Sequence, residues 1–374
     1  MNNIQKLEQL GQSIWYDNIS RGVIKSGELK KMVDEGLLGV TSNPTIFDKA
    51  ISGSTDYDDQ IRELVEKNLT IDAGKIIQEL MVTDIQMACD VLRSAFDRTK
   101  GRDGYVSVEV TPSKARDTQA TIEEVRDLWK KISRRNLMVK IPATKEGLPA
   151  IEQAISEGIN INVTLLFAEP RYREVCEAYI IGIERRLNDG KPVDHIRSVA
   201  SVFVSRIDTL VDDLLGKKDA EKNKGLMGYA AVANTKLIYQ AFKEVFSLAR
   251  FKALEAKGAH VQRPLWGSTG TKNPAYSDLL YVDTLIGPHT VNTVPPQTYV
   301  AILDHGKPAL TVESDLPGAR KMLNDVAAAG VDMQWVLKKL EDDGVASFEK
   351  SFDGLYKNLV EKRGQFVTDS VPTT

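Results

Sequence analysis

The chain has 374 residues, 27% of them charged and 42% hydrophobic, with a net charge of -3. That composition is ordinary for a water-soluble globular protein, and the charge gives no electrostatic basis for binding nucleic acid or an anionic membrane surface. No apolar run approaches the ~18 residues needed to span a membrane, no signal-peptide pattern opens the chain, and two cysteines, Cys89 and Cys176, without a CxxC pair fit a reducing cytoplasm.

In chain order, the pattern predicts a short helix over 4–10 and a first strand over 13–17. A helix over 26–35 ends at Gly36, a C-cap candidate, and a strand follows over 38–43 before Pro44 starts a new element. Amphipathic helices are expected over 56–68 and 73–99, the second capped by Asp72. Then come a strand over 105–110, a helix over 118–134, a strand within 137–144 and a helix over 147–157. A strand over 161–167 leads to a helix over 169–188, and a strand over 198–205 to a charged stretch, 217–224, expected to be a loop. One long helix is expected over 227–257, a strand over 263–268, a short helix over 277–285 and a last strand over 289–294. Two or three further helices fill the tail, which is expected to fray after about residue 365.

Eight strands alternating with helices imply βα units and a parallel sheet, and eight is the number that closes a (β/α)8 TIM barrel. With no composition shift, the expectation is an α/β protein of one domain, the barrel over about 13–310 and a helical C-terminal extension over about 311–367.

Strand parity then sorts the polar residues, because successive side chains face opposite sides. Val106, Val108 and Val110 oppose Tyr105, Ser107 and Glu109. Leu137, Val139 and Ile141 oppose Met138, Lys140 and Pro142, and Ile161, Val163 and Leu165 oppose Asn162, Thr164 and Leu166. Ala200, Val202 and Val204 oppose Ser201, Phe203 and Ser205. The aliphatic parity should meet the helices and the other should face the barrel interior. Lys140 is the odd residue of LMVKIPAT. Burial disfavours a charged ammonium and favours the neutral amine, which is a nucleophile for carbonyls. The alternative is a stem that crosses the strand and a head group that snorkels to water. Asp17, Asn43 and Glu109 fall late in their strands, toward the C-terminal rim where such barrels place their chemistry. An amine and two carboxylates in one apolar barrel need each other or a substrate. The four histidines are scattered, so no metal site is expected, and neither GxxxxGK[ST] nor GxGxxG opens a helix.

Seven segments together resemble the transaldolase family, in its longer bacterial branch: TSNPTIF (41–47), VSVEV (106–110), VKIPAT (139–144), INVTLLF (161–167), SVFVSRID (201–208), PLWGSTGTKNPAYSD (264–278) and HTVNTVP (289–295). The resemblance implies Schiff-base transfer of a dihydroxyacetone unit between sugar phosphates, with no metal or organic cofactor. It implies Lys140 as the Schiff-base lysine and Asp17 as the acid/base at the C4 hydroxyl. Glu109 and Thr164 would hold a catalytic water, and Thr41, Asn43 and Asn162 would contact the three-carbon unit. For either asparagine, capping a strand end is the alternative. Ser201 and Arg206 resemble the phosphate pair, joined by Ser268 and Lys272 from the loop after the seventh strand, where many members place an arginine. Phe203 stands where simple aldolases of the family carry tyrosine, which favours the transferase. A fructose 6-phosphate aldolase and a non-catalytic sugar-phosphate-binding barrel are the rival readings. The sequence leaves open whether the protein is a monomer or a homodimer.

Overall fold

The computed structural model describes residues 1–370. Among them, β1 (Gln12–Tyr16), β2 (Gly39–Thr41), β3 (Tyr105–Glu109), β4 (Leu137–Pro142), β5 (Ile161–Leu166), β6 (Ser198–Phe203), β7 (Arg263–Gly267) and β8 (Thr290–Val294) close into a parallel barrel in chain order. The helix α1 (Asn3–Gln9) precedes the barrel; α2 (Arg21–Lys25) and α3 (Glu28–Glu35) follow β1; α4 (Pro44–Ser52), α5 (Asp58–Lys67) and α6 (Ala73–Arg98) follow β2. One crossover helix follows each of the next three strands: α7 (Thr118–Ile132), α8 (Gly147–Glu157) and α9 (Glu169–Asn188). After β6 come α10 (Ser205–Asn223), α11 (Ala230–Ser247) and α12 (Ala249–Glu255), then α13 (Leu280–Asp283) after β7 and α14 (Pro296–His305) after β8. The extension is α15 (Leu316–Ala328) and α16 (Met333–Ser370). No described helix is long and apolar enough to cross a membrane.

Register places the polar parity inward. Lys140 pairs with Glu109 on one side and with Asn162 on the other. Neighbouring strands in register bring side chains of the same parity onto the same face. Accordingly, Asn162 donates to Ser107 Oγ at 3.0 Å and accepts from Ser201 Oγ at 2.7 Å. These bonds stitch β3, β5 and β6 together from within. The opposite parity is fully buried beneath the helices.

The barrel floor is a buried ionic plug. Asp103, with no solvent exposure, accepts from Arg263 Nη2 at 2.7 Å, Ser13 Oγ at 2.9 Å, Trp15 Nε1 at 3.2 Å and Arg102 Nε at 3.1 Å. Burial alone would raise the Asp103 carboxyl, but Arg263 and Arg102 outweigh it and hold the group below the usual carboxylate range.

Several expectations need correction. The helix expected over 26–35 is α3, which starts after Gly27 (φ 84°) and ends at Gly36 as expected; a short helix before it, α2, capped by Ser20, was not expected. The 217–224 stretch is not a loop. It continues α10, supported by the (i, i+4) pair Lys217–Asp213 at 2.6 Å, and is interrupted only at Asp219 (φ -168°, ψ 97°). The charge run is solvated, as expected, but solvation does not forbid a helix. The long helix expected over 227–257 is two, because Leu248 is extended (ψ 144°). At β5 the parity expectation fails for Leu165. That residue adopts φ 57° at a bulge, the register slips between Val163 and Leu166, and the Leu165 side chain lies against Gly344 of α16. Fraying from residue 365 is also not seen: α16 runs to Ser370 and Phe366 is buried. The expectation for 371–374 lies outside the described residues.

Candidate active site

Asp17 follows directly on β1 and Asn43 stands two residues past the end of β2, so both stand at the C-terminal rim. The Asp17 backbone N–H donates to Val294 O at 2.8 Å, extending the β1–β8 ladder one step past the strand. Its carboxylate accepts from Thr41 Oγ1 at 2.6 Å, and Thr41 in turn shares a 2.6 Å hydrogen bond with Thr293 of β8. Asn43 caps α4, its side chain accepting from Ile46 N at 3.0 Å, with Pro44 at the first helical position. Capping, the alternative weighed above, is therefore one of its roles, yet the residue also lines the cavity at the rim.

That cavity is about 190 Å³ and is lined by Asp17, Lys140, Thr164, Ser201, Arg206 and Ser268 among others. Lys140 is only 4% exposed. Its Nζ lies 3.1 Å from Glu109 Oε2 and donates to Ser42 O at 3.0 Å. The amine does not snorkel. Burial pushes both the Glu109 and the Asp17 carboxyls above the usual range, and in each case the nearby Lys140 pulls back. Glu109 Oε2 meets Lys140 at ion-pair distance but without hydrogen-bond alignment, and Thr164 Oγ1 is buried with no hydrogen-bond partner among the described residues. A buried hydroxyl in the cavity that Lys140 lines, and a carboxylate oxygen against its amine, are groups that a reacting water or substrate oxygen can satisfy. A second cavity, about 320 Å³, backs onto Glu109 and Asn43 between α4, α6 and α16. It is the larger, but Lys140 and Asp17 line only the smaller one.

The expected site residues divide by depth. Thr41, Asn43, Ser201, Phe203, Arg206 and Ser268 line the Lys140 cavity. Asn162 sits beneath it, its amide engaged by Ser107 and Ser201. Lys272 does not line it. It lines a neighbouring cavity with Asp208, Asp212 and Tyr276, close enough for the Arg206 charge to add to the lowering that burial imposes on it. Among the lining residues that were not assigned a role from the sequence are Thr293, Lys49 and Phe348. Thr293 belongs to the HTVNTVP segment, but both parities of β8 carry polar residues, so alternation does not single it out. Lys49, on α4, and Phe348, some 80 residues past β7 and carried by α16, leave no strand-based signal.

The family model described as Transaldolase/Fructose-6-phosphate aldolase matches residues 14–359. The chain belongs to that family. Among the relatives of this transaldolase/fructose-6-phosphate aldolase family member, the transaldolase of Saccharopolyspora erythraea is 46% identical, over 97% of this chain and 98% of its own. The transaldolase of Trichodesmium erythraeum is 44% identical, over 96% and 97%. The transaldolase of Mycobacterium tuberculosis is 45% identical, over 94% and 95%. The alignments thus span barrel and extension alike.

The loop between β7 and α13 is fastened to α10. Tyr281 donates to Asp208 at 2.8 Å and Tyr276 to Asp212 at 2.7 Å, while Asp208 also accepts from Ala231 N at 2.7 Å. Burial, reinforced by Asp212, pushes the Asp208 carboxyl up to about 6 despite those donors. Between its ordinary value near 4 and about 6, the folded protein therefore binds more protons than the unfolded chain. This carboxyl's contribution to stability is largest at low pH and is lost as pH rises through that window. Asp208→Asn should flatten the fall by roughly 1–3 kcal/mol. Chemical denaturation of both proteins at pH 4.5 and pH 7 tests this; an identical pH dependence would refute it.

Proposed function

We propose that this protein is a transaldolase of the pentose phosphate pathway. It moves a dihydroxyacetone unit from sedoheptulose 7-phosphate to glyceraldehyde 3-phosphate, giving erythrose 4-phosphate and fructose 6-phosphate. The observation that carries this reading is one buried amine, Lys140 Nζ, 3.1 Å from Glu109 in a cavity that Asp17 also lines. Two buried free thiols suit work in the cytoplasm.

Lys140 attacks the C2 carbonyl of the ketose, and the carbinolamine loses water to leave an iminium ion. Glu109, raised by burial, exchanges protons with the departing and returning water, which Thr164 orients. The C4 hydroxyl then gives its proton to Asp17 as the C3–C4 bond breaks. The bonding pair passes into the iminium, the aldose phosphate leaves, and an enamine remains. In the second half, the enamine carbon bonds to the acceptor aldehyde carbon and Asp17 returns the proton. Water hydrolyses the imine and frees Lys140. Asn43 and Thr41 hold the hydroxyls of the three-carbon unit, and Asn162 braces the floor beneath it through Ser201. Arg206 takes the phosphate with Ser201 and Ser268, its planar fork suited to bidentate contact. Lys272 adds positive potential from the adjoining cavity.

Phe203, 8% exposed at the cavity wall, offers no acidic hydroxyl to protonate and release the bound unit. The enamine therefore waits for an acceptor. With sedoheptulose 7-phosphate as donor, fructose 6-phosphate should form only when glyceraldehyde 3-phosphate is present. Without acceptor, free dihydroxyacetone should not exceed about one equivalent per site. Its steady release would replace this reading with the aldolase.

A further inference from the structure

We propose that Phe348, carried to the barrel mouth by the C-terminal extension, is a positioning residue that sets the preference for phosphorylated substrates by holding Arg206. This rests on the reading that Arg206 takes the substrate phosphate.

The Arg206 guanidinium carbon lies 5.1 Å from the Phe203 ring centroid and 6.0 Å from that of Phe348. Phe348 is 3% exposed and lines the Lys140 cavity. The two rings reach the arginine from unrelated elements, the end of β6 and the middle of α16. Two carboxylates, Asp17 and Glu109, are near enough to act on Arg206 electrostatically. An arginine fixed by direct ion pairing would spend its N–H fork on the carboxylate. Aromatic contacts use the faces of the guanidinium instead, and leave its in-plane donors for an incoming phosphate. They also replace part of the lost hydration around a cation whose pKa burial lowers.

The helix is seated so that Phe348 has little freedom. Gly344, Phe348, Ser351 and Leu355 are spaced to share one face of α16. Gly344 fits closely over Leu165: an added Cβ would stand 2.8 Å from Leu165 Cδ2 and 3.7 Å from Arg206 Nη1. Ser351 shares a 2.8 Å hydrogen bond with Thr45 of α4. Arg116, between β3 and α7, binds Asp342, two residues before Gly344, at 2.8 Å. The bulge that turns Leu165 toward the mouth therefore makes the seat on which α16 rests.

The test compares acceptors that differ only in the phosphate, with saturating sedoheptulose 7-phosphate as donor: glyceraldehyde 3-phosphate, which yields fructose 6-phosphate, and D-glyceraldehyde, which yields fructose. A desolvated cation–π contact corresponds to a change of about tenfold in binding. Phe348→Ala should raise KM for glyceraldehyde 3-phosphate about tenfold and leave KM for D-glyceraldehyde within about twofold. Phe348→Leu, which keeps apolar cover but lacks a ring face, should show the same selective rise. Borohydride should still trap the three-carbon unit on Lys140 in both variants. An equal rise for both acceptors, or no rise for either, would overturn the role of Phe348, as would full rescue by leucine. Arg206→Ala, assayed alongside, separates the two ideas. If it too fails to discriminate between the acceptors, the phosphate role of Arg206 is what falls.

Discussion

Lys140→Ala should lose the transfer reaction and leave no adduct when borohydride is added with fructose 6-phosphate. Nothing else among the described residues supplies a buried amine to that cavity: Lys49, which also lines it, is exposed at the mouth. Removing the nucleophile removes the covalent route itself, so the loss should be on the order of 10⁴-fold or more. Glu109→Gln makes the instructive companion. The amine stays in place, but the group that exchanges protons with water is gone. Adduct should still be trapped, while turnover falls by about 10²–10⁴-fold. Peptide mapping of the reduced adduct reads the first outcome and steady-state rates the second. An adduct on any other lysine, or near-full turnover in Lys140→Ala, would remove the Schiff-base mechanism from this protein.

The second large effect lies at the opposite end of the barrel. Arg263→Met should destabilise the fold by about 3–5 kcal/mol, since it strips the main cation from a carboxylate that has no exposure to water. Arg102, which is half exposed, also reaches Asp103 but cannot replace the contact from inside the barrel. Changing both partners, Asp103→Asn with Arg263→Met, should recover part of the loss, because no charge is then left buried and alone. Denaturant titration measures all three proteins. Where the variants remain folded, rates per folded molecule should match the parent, for the plug touches none of the residues around Lys140. A loss below about 1 kcal/mol for Arg263→Met would show that the floor is held by packing instead.

These two ends of the barrel were unequally legible. The rim was readable because a strand's alternation is simple: once Lys140 was recognised as facing inward, Glu109, Thr164 and Ser201 followed from parity alone. The floor was not, since Asp103 precedes its strand and finds Arg263 only through the closed topology. Helix ends at Asp219 and Leu248 were missed for a related reason. Neither is a glycine or proline, so the break is imposed by how the flanking helices pack and not by a local conformational preference. The bulge at Leu165 was hidden likewise: leucine is a poor choice for a positive φ, and only the helix seated against it explains its presence there. Parity also says nothing about residues outside the strands, which is why Phe348 escaped notice.

The pairing of the first strand with the last has a consequence for how the chain is made. Gln12 of β1 lies in register with Thr290 of β8. A ribosome adding roughly 5–20 residues per second needs about a quarter of a minute to a minute to pass from one to the other. Throughout that interval β1 has an unsatisfied edge, and each newly made strand presents another at the growing end of the sheet. Both edges vanish together when β8 arrives. Its five residues, TVNTV, therefore act as the latch of the whole assembly. A chain stopped short of them is not a smaller barrel but an open sheet, ready to pair with whatever strand it meets.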